Sequence, residues 1–70
     1  MKISFNKLWK ILIDRNMKKT DLINLTGISS SSMAKLGKNE KVSLEVIIKI
    51  CDVLNCNIGD VMDLIKDIKE

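Results

Sequence analysis

The chain has 70 residues, 46% hydrophobic and 30% charged, a balance that supports one small packed domain and argues against intrinsic disorder. With no proline, three glycines and aromatic content limited to Phe5 and Trp9, it suits short helices joined by tight turns and suits β-sandwiches badly. The net charge of +3 excludes little by itself, but no apolar run approaches a membrane span, and "MKISFNKLWKILIDRN" lacks the small-residue cleavage site of a signal peptide, so a cytoplasmic protein is expected.

In chain order, the first predicted helix covers residues 6–15. Phe5, Leu8, Trp9, Leu12 and Ile13 fall at spacings of three and four and make one apolar face, with Ile11 on its flank. Asn6 or Ser4 can cap its start, and Asn16 suits a left-handed terminator. The stretch "KKTDLINLTG" predicts a second helix over 19–26, with Leu22, Ile23 and Leu25 inward and Asp21 in the first turn, where a carboxylate favours the helix dipole. Gly27 then offers a positive φ at no steric cost, and Ile28 follows as a hydrophobic plug.

The four serines of "GISSSSMAKLGKNE" are unusual in so short a chain, because the serine hydroxyl competes for nearby backbone groups. They fit the start of a third helix over 30–37, with Ser29 as its cap. Met33 and Leu36 bury one face with Ile28, leaving Ser30, Ser31, Ala34 and Lys35 on the other. That outer face is short, small and polar, unlike a solvated helix surface rich in Glu and Lys. Gly37 or Asn39 takes the left-handed position that ends the helix.

"VSLEVIIKICDVLN" is the strongest helical pattern and predicts a central helix over 44–54, capped by Ser43. Leu44, Ile47, Ile48, Cys51 and Leu54 form its main stripe, and Val46, Ile50 and Val53 a second beside it. "IGDVMDLI" predicts a last helix over 58–65, capped by Asn57, with Ile58, Val61, Met62 and Ile65 inward and residues 66–70 fraying. The fold class expected is all-α, a compact bundle of five helices in one domain spanning 1–70.

Charge is unevenly placed. Residues 1–41 hold nine basic side chains against three acidic ones, a net of six positive, while residues 42–70 hold three against six, a net of three negative. A chain polarised in this way presents a basic end to an anionic partner. Catalytic chemistry is poorly supported: there is no histidine, no glycine-rich phosphate loop and no motif-like acid pair. Cys51 and Cys56 make no zinc site, since two further ligands are missing, and a disulfide between them is disfavoured in a cytoplasmic chain. Cys51 reads as a small buried hydrophobe. No metal and no cofactor are expected.

Two short helices around a glycine-centred turn make a helix-turn-helix unit. At "LINLTGISSSSMAKL", residues 22–36, the sequence resembles the Cro/CI repressor-type (xenobiotic-response-element) helix-turn-helix family, whose usual run is L-A-x-x-T-G-I-S-x-S-x-(I/L)-x-(K/R)-(I/L). "VSLEVIIKICDVLNCNIGDVM" looks like that family's fourth and fifth helices, so the likeness covers roughly residues 7–65. Three positions depart from the pattern. Ile23 replaces a usual alanine near the helix crossing and should widen the crossing or turn partly outward. Gly37 replaces a frequent glutamate, removing an ion pair that some relatives make. Asn39 replaces a frequent glycine, and asparagine also tolerates left-handed geometry.

The resemblance implies a lambda-repressor-like fold and a bacterial or phage transcriptional regulator, most simply a repressor, that binds double-stranded DNA in a sequence-specific manner. Helix 30–37 would enter the major groove, with Ser30, Ser31, Ala34 and Lys35 over the bases. Lys18, Lys19, Ser29, Lys38, Asn39 and Lys41 would hold phosphates, aided by the positive ends of the second and third helices. Serines read bases with little geometry, so specific affinity needs two copies on a two-fold operator, with half-sites about 34 Å apart. A second apolar stripe on the fourth helix, with Trp9 or the last helix, is the expected homodimer contact. The rival reading is a protein-binding module, such as an antitoxin-like partner, built on the same fold.

Overall fold

The computed structural model describes residues 1–66. Its elements run β1 (Lys2–Ser4), α1 (Asn6–Asp14), α2 (Lys19–Thr26), α3 (Ser30–Gly37), α4 (Leu44–Leu54), α5 (Ile58–Val61) and β2 (Asp63–Ile65). The helices begin and end where local chemistry favours it. Ser29 and Ser43 accept the N–H groups of Ser32 (3.1 Å) and Val46 (3.3 Å), each three residues on. Gly27 closes α2 at φ 73°, while Asn16, Asn39 and Asn55 hold φ of 55°, 57° and 55°. Asparagine is the side chain best able to visit this region without being glycine.

All five expected helices are present, but the all-α description is incomplete. β1 and β2 pair antiparallel in the register Lys2↔Ile65, Ile3↔Leu64 and Ser4↔Asp63. The expected helix over 58–65 therefore stops after Val61, because Met62 turns extended at φ −143° and ψ 157° and leads into β2. A two-stranded ribbon is marginal unless something packs on it. Here Ile3 rests against the core, and Lys7 on α1 binds Asp63 at 3.2 Å and the Gly59 carbonyl at 3.1 Å. Of the segment expected to fray, residues 67–70 lie outside the described residues.

The core comprises Phe5, Leu8, Leu12, Leu22, Ile28, Met33, Leu36, Ile47, Ile50, Leu54 and Val61. Within it, α2 packs on α4 and on α3, while α5 packs on α1 and α4. Several residues expected inside lie on the surface: Ile13, Leu25, Leu44, Ile48, Ile58 and Ile65. The reason is rotational. Neighbouring residues on a helix differ in direction by about 100°, so Leu12 and Ile13, or Ile47 and Ile48, cannot both point at one neighbour. On α4 the buried line is Ile47, Ile50 and Leu54, with Ile50 fully buried and Ile48 59% exposed. The two sequence stripes exchange members.

Smaller corrections fall at the head of α1 and at Cys51. The residue at the head of α1 is Phe5, with no side-chain cap, although Ser4 Oγ accepts the Asn6 N–H at 3.3 Å. Asn57 stands at the N-cap of α5, as expected, and Asp60 Oδ2 accepts its N–H at 2.9 Å. Cys51 is half-buried rather than buried, and both cysteines are free thiols. Ile23 is half-buried, one of the two outcomes its bulk demands.

Candidate nucleic-acid interface

The α2–α3 unit is assembled around its turn. Gly27 donates its N–H to the Ile23 carbonyl at 2.8 Å. Thr26 Oγ1 donates to the Leu22 carbonyl at 2.6 Å and accepts the Ile28 N–H at 3.3 Å. Leu22, Ile28, Met33 and Leu36 are buried beneath it. With Met33 and Leu36 inward, helical periodicity turns Ser30, Ser31, Ala34 and Lys35 outward, and all four are exposed. Their side chains are short, so this ridge offers close backbone approach, hydroxyl donors and acceptors, and one cation in the last turn.

The serine run has a structure of its own. Ser29 Oγ lies 3.0 Å from Ser31 Oγ and donates to Ser32 Oγ at 3.1 Å, besides capping the helix. Four serines thus supply one cap, an outward pair at Ser30 and Ser31, and a half-buried partner for the cap at Ser32.

The cations differ in what holds them. Lys7 binds Asp63, and Arg15 Nη2 donates to the Leu54 carbonyl at 2.8 Å, so both serve the fold. Lys19 Nζ sits 4.6 Å from the Trp9 ring centroid, a cation–π contact joining α2 to α1. Lys18, Lys35, Lys38 and Lys41 are exposed, and no ion pair involves them among the described residues. At the head of α2, Asp21 Oδ2 already accepts the Lys18 N–H at 2.8 Å, so an anion there would depend on the Lys18 ammonium more than on the helix end. Asn39 Oδ1 accepts the Phe5 N–H at 2.9 Å, and its Nδ2 donors take no part in that bond.

The structure adds one cation that the sequence does not point to. Lys2, on β1, shares a shallow concavity with Lys35, Lys38, Asn39, Glu40 and Lys41 at the end of α3. Its placement depends on pairing between two distant three-residue strands, for which a local pattern carries no signal.

A second surface is lined by none of these lysines. Leu44, Ile48, Cys51, Cys56 and Ile58 line a groove between α4 and α5. Burial, and then the nearby Cys56, push the Cys51 thiol above its ordinary pKa, which keeps it protonated and weakly nucleophilic. Among the described residues no cluster of three potential metal ligands occurs, and no helix is long and apolar enough to cross a membrane.

A buried-back, hydroxyl-faced helix set across a glycine turn from its partner defines a helix-turn-helix DNA-binding domain. The chain belongs to the family described as the Cro/C1-type HTH DNA-binding domain, whose model matches residues 7–67. It is also similar to a solved structure, the transcriptional regulator VanUg in crystal form II. That likeness has a TM-score of 0.90 and 53% identity, and covers 94% of this chain and 88% of that one. No curated protein matches the chain.

Proposed function

We propose that this chain is a sequence-specific regulator of transcription, acting as a repressor, that lays α3 in the major groove of double-stranded DNA. The observation that carries this reading is the outward ridge of Ser30, Ser31, Ala34 and Lys35, backed by buried Met33 and Leu36. Lys35 offers its ammonium to guanine O6 or N7, and the serine hydroxyls meet base edges at short range. Lys18, Lys19, Ser29, Lys38, Asn39 and Lys41 hold the flanking phosphates and fix the register. The likeness to VanUg, itself a transcriptional regulator, supports the same role here.

Residues 1–70 act as one binding unit, in the cytoplasm of a bacterium or of a phage host, without a cofactor and without catalysis. Two copies occupy a two-fold operator. The exposed Leu44, Ile48 and Ile58 beside the α4–α5 groove favour that side of the molecule as the contact between copies. The same groove favours the second reading, a protein-binding module in which a different chain takes that place.

Salt dependence separates the two readings. Duplex binding should weaken by about 0.9 log units per phosphate contact for each tenfold rise in salt, and Lys38→Ala should reduce that slope on every sequence alike. A slope near zero, with Lys38→Ala indistinguishable from the parent chain, would overturn the groove assignment and leave the protein-binding module.

A further inference from the structure

We infer that Lys2 is an additional DNA-backbone contact, and that the concavity it shares with Lys35, Lys38 and Lys41 receives one phosphodiester flanking the bases under α3. The inference rests on the reading of α3 given above and adds to it a residue from the first strand, distant in sequence and adjacent in space.

The placement is fixed twice. Asn39 Oδ1 takes the Phe5 N–H at 2.9 Å and so holds the end of β1 against the loop that follows α3. The pairing Lys2↔Ile65 sets Lys2 on a strand instead of a loose end. Four lysines then surround one concavity with a single carboxylate, Glu40, among them. All five charged side chains are exposed, and no ion pair joins them among the described residues. Like charges gathered in this way repel one another and create a local field that an anion relieves.

The backbone makes the choice of anion site less obvious and more informative. The carbonyl end of a helix carries partial negative charge and disfavours phosphate. Here that end is closed from within: Lys38 N–H bonds the Ala34 and Lys35 carbonyls, Asn39 N–H the Leu36 carbonyl, and Glu40 N–H the Lys35 carbonyl at 2.9 Å. Side-chain ammoniums therefore set the polarity of the concavity. Lys35 lines it and also belongs to the outward ridge of α3, so an anion held there is continuous with whatever lies under that ridge. A phosphodiester of the same duplex meets that condition.

The test compares the parent chain with Lys2→Gln and Lys2→Arg on a duplex selected from a random library and on an unselected duplex. Lys2→Gln should flatten the log–log salt slope by about 0.9 and weaken both duplexes by the same factor, while Lys2→Arg keeps the parent slope. Thermal midpoints should coincide, since the side chain is exposed. An unchanged slope for Lys2→Gln, with Lys35→Ala still relaxing sequence preference, overturns this inference alone. A parent chain that fails to bind either duplex overturns the reading of α3 and this inference together.

Discussion

The outward faces of α3 and α4 are built on the same plan and finished in opposite ways. Each helix is capped by a serine, each buries one line of aliphatic residues, and each leaves a second line in solvent. On α3 that second line is serine, alanine and lysine. On α4 it is Leu44 and Ile48, 62% and 59% exposed. A polar ridge of small side chains suits a hydrated, anionic groove, whereas large aliphatic groups left in water favour association with another apolar surface. The difference teaches that burial alone does not assign a helix its job; the residues left outside do.

The comparison can be broken most directly by truncating one residue on each kind of line. Leu36→Ala, on the fully buried side of α3, should cost about 2–5 kcal/mol in denaturant unfolding, through lost transfer energy and the cavity left behind. Ile48→Ala should change the stability of the dilute protein by only about 0.5 kcal/mol, the range of ordinary surface substitutions. Equal losses at the two sites would mean that α4 is rotated differently from the structure described.

The next test sharpens the polar face. Lys35→Ala should cost about 1–3 kcal/mol of discrimination at a single base pair, read by competition between duplexes differing at that position. Next in size is the cap. Ser29→Ala removes the acceptor for the Ser32 N–H and the hub of the hydroxyl cluster, and should lower stability by about 1 kcal/mol in thermal unfolding. Gly37→Ala carries the smallest effect and the opposite sign. Gly37 is helical, and the nearest atom to an added Cβ is Lys19 Nζ at 3.7 Å, an ordinary contact. A gain of about 0.5–1 kcal/mol follows from the lower chain entropy of alanine.

What could be read in the sequence follows from the range of the forces involved. Ser29, Ser43, Gly27 and Asn16 act on groups a few residues away, so the ends of α1 to α4 were legible and agree with the structure to within a residue, whereas the end of α5, set by the distant β1–β2 pairing, was not. The outer face of α3 was legible because its inner face has only Met33 and Leu36 to bury. The rotation of α4 was not. Its apolar residues fill well over half of the circumference, and periodicity then gives the width of the face without its centre. The β1–β2 ribbon was invisible for another reason: three residues near each end of the chain carry too few alternations to register. Lys2 joins the candidate site only through that ribbon, which is why the charge count included it and the site did not.

Asn39 stands where the family pattern often has glycine, and its backbone angle alone makes the exchange look neutral. Glycine would fit that turn with less strain but has no side-chain carbonyl to catch the Phe5 N–H 34 residues earlier. The amide therefore latches the turn after α3 to the end of the first strand. Without that amide the Phe5 N–H would lose its acceptor and the turn its tie to the ribbon.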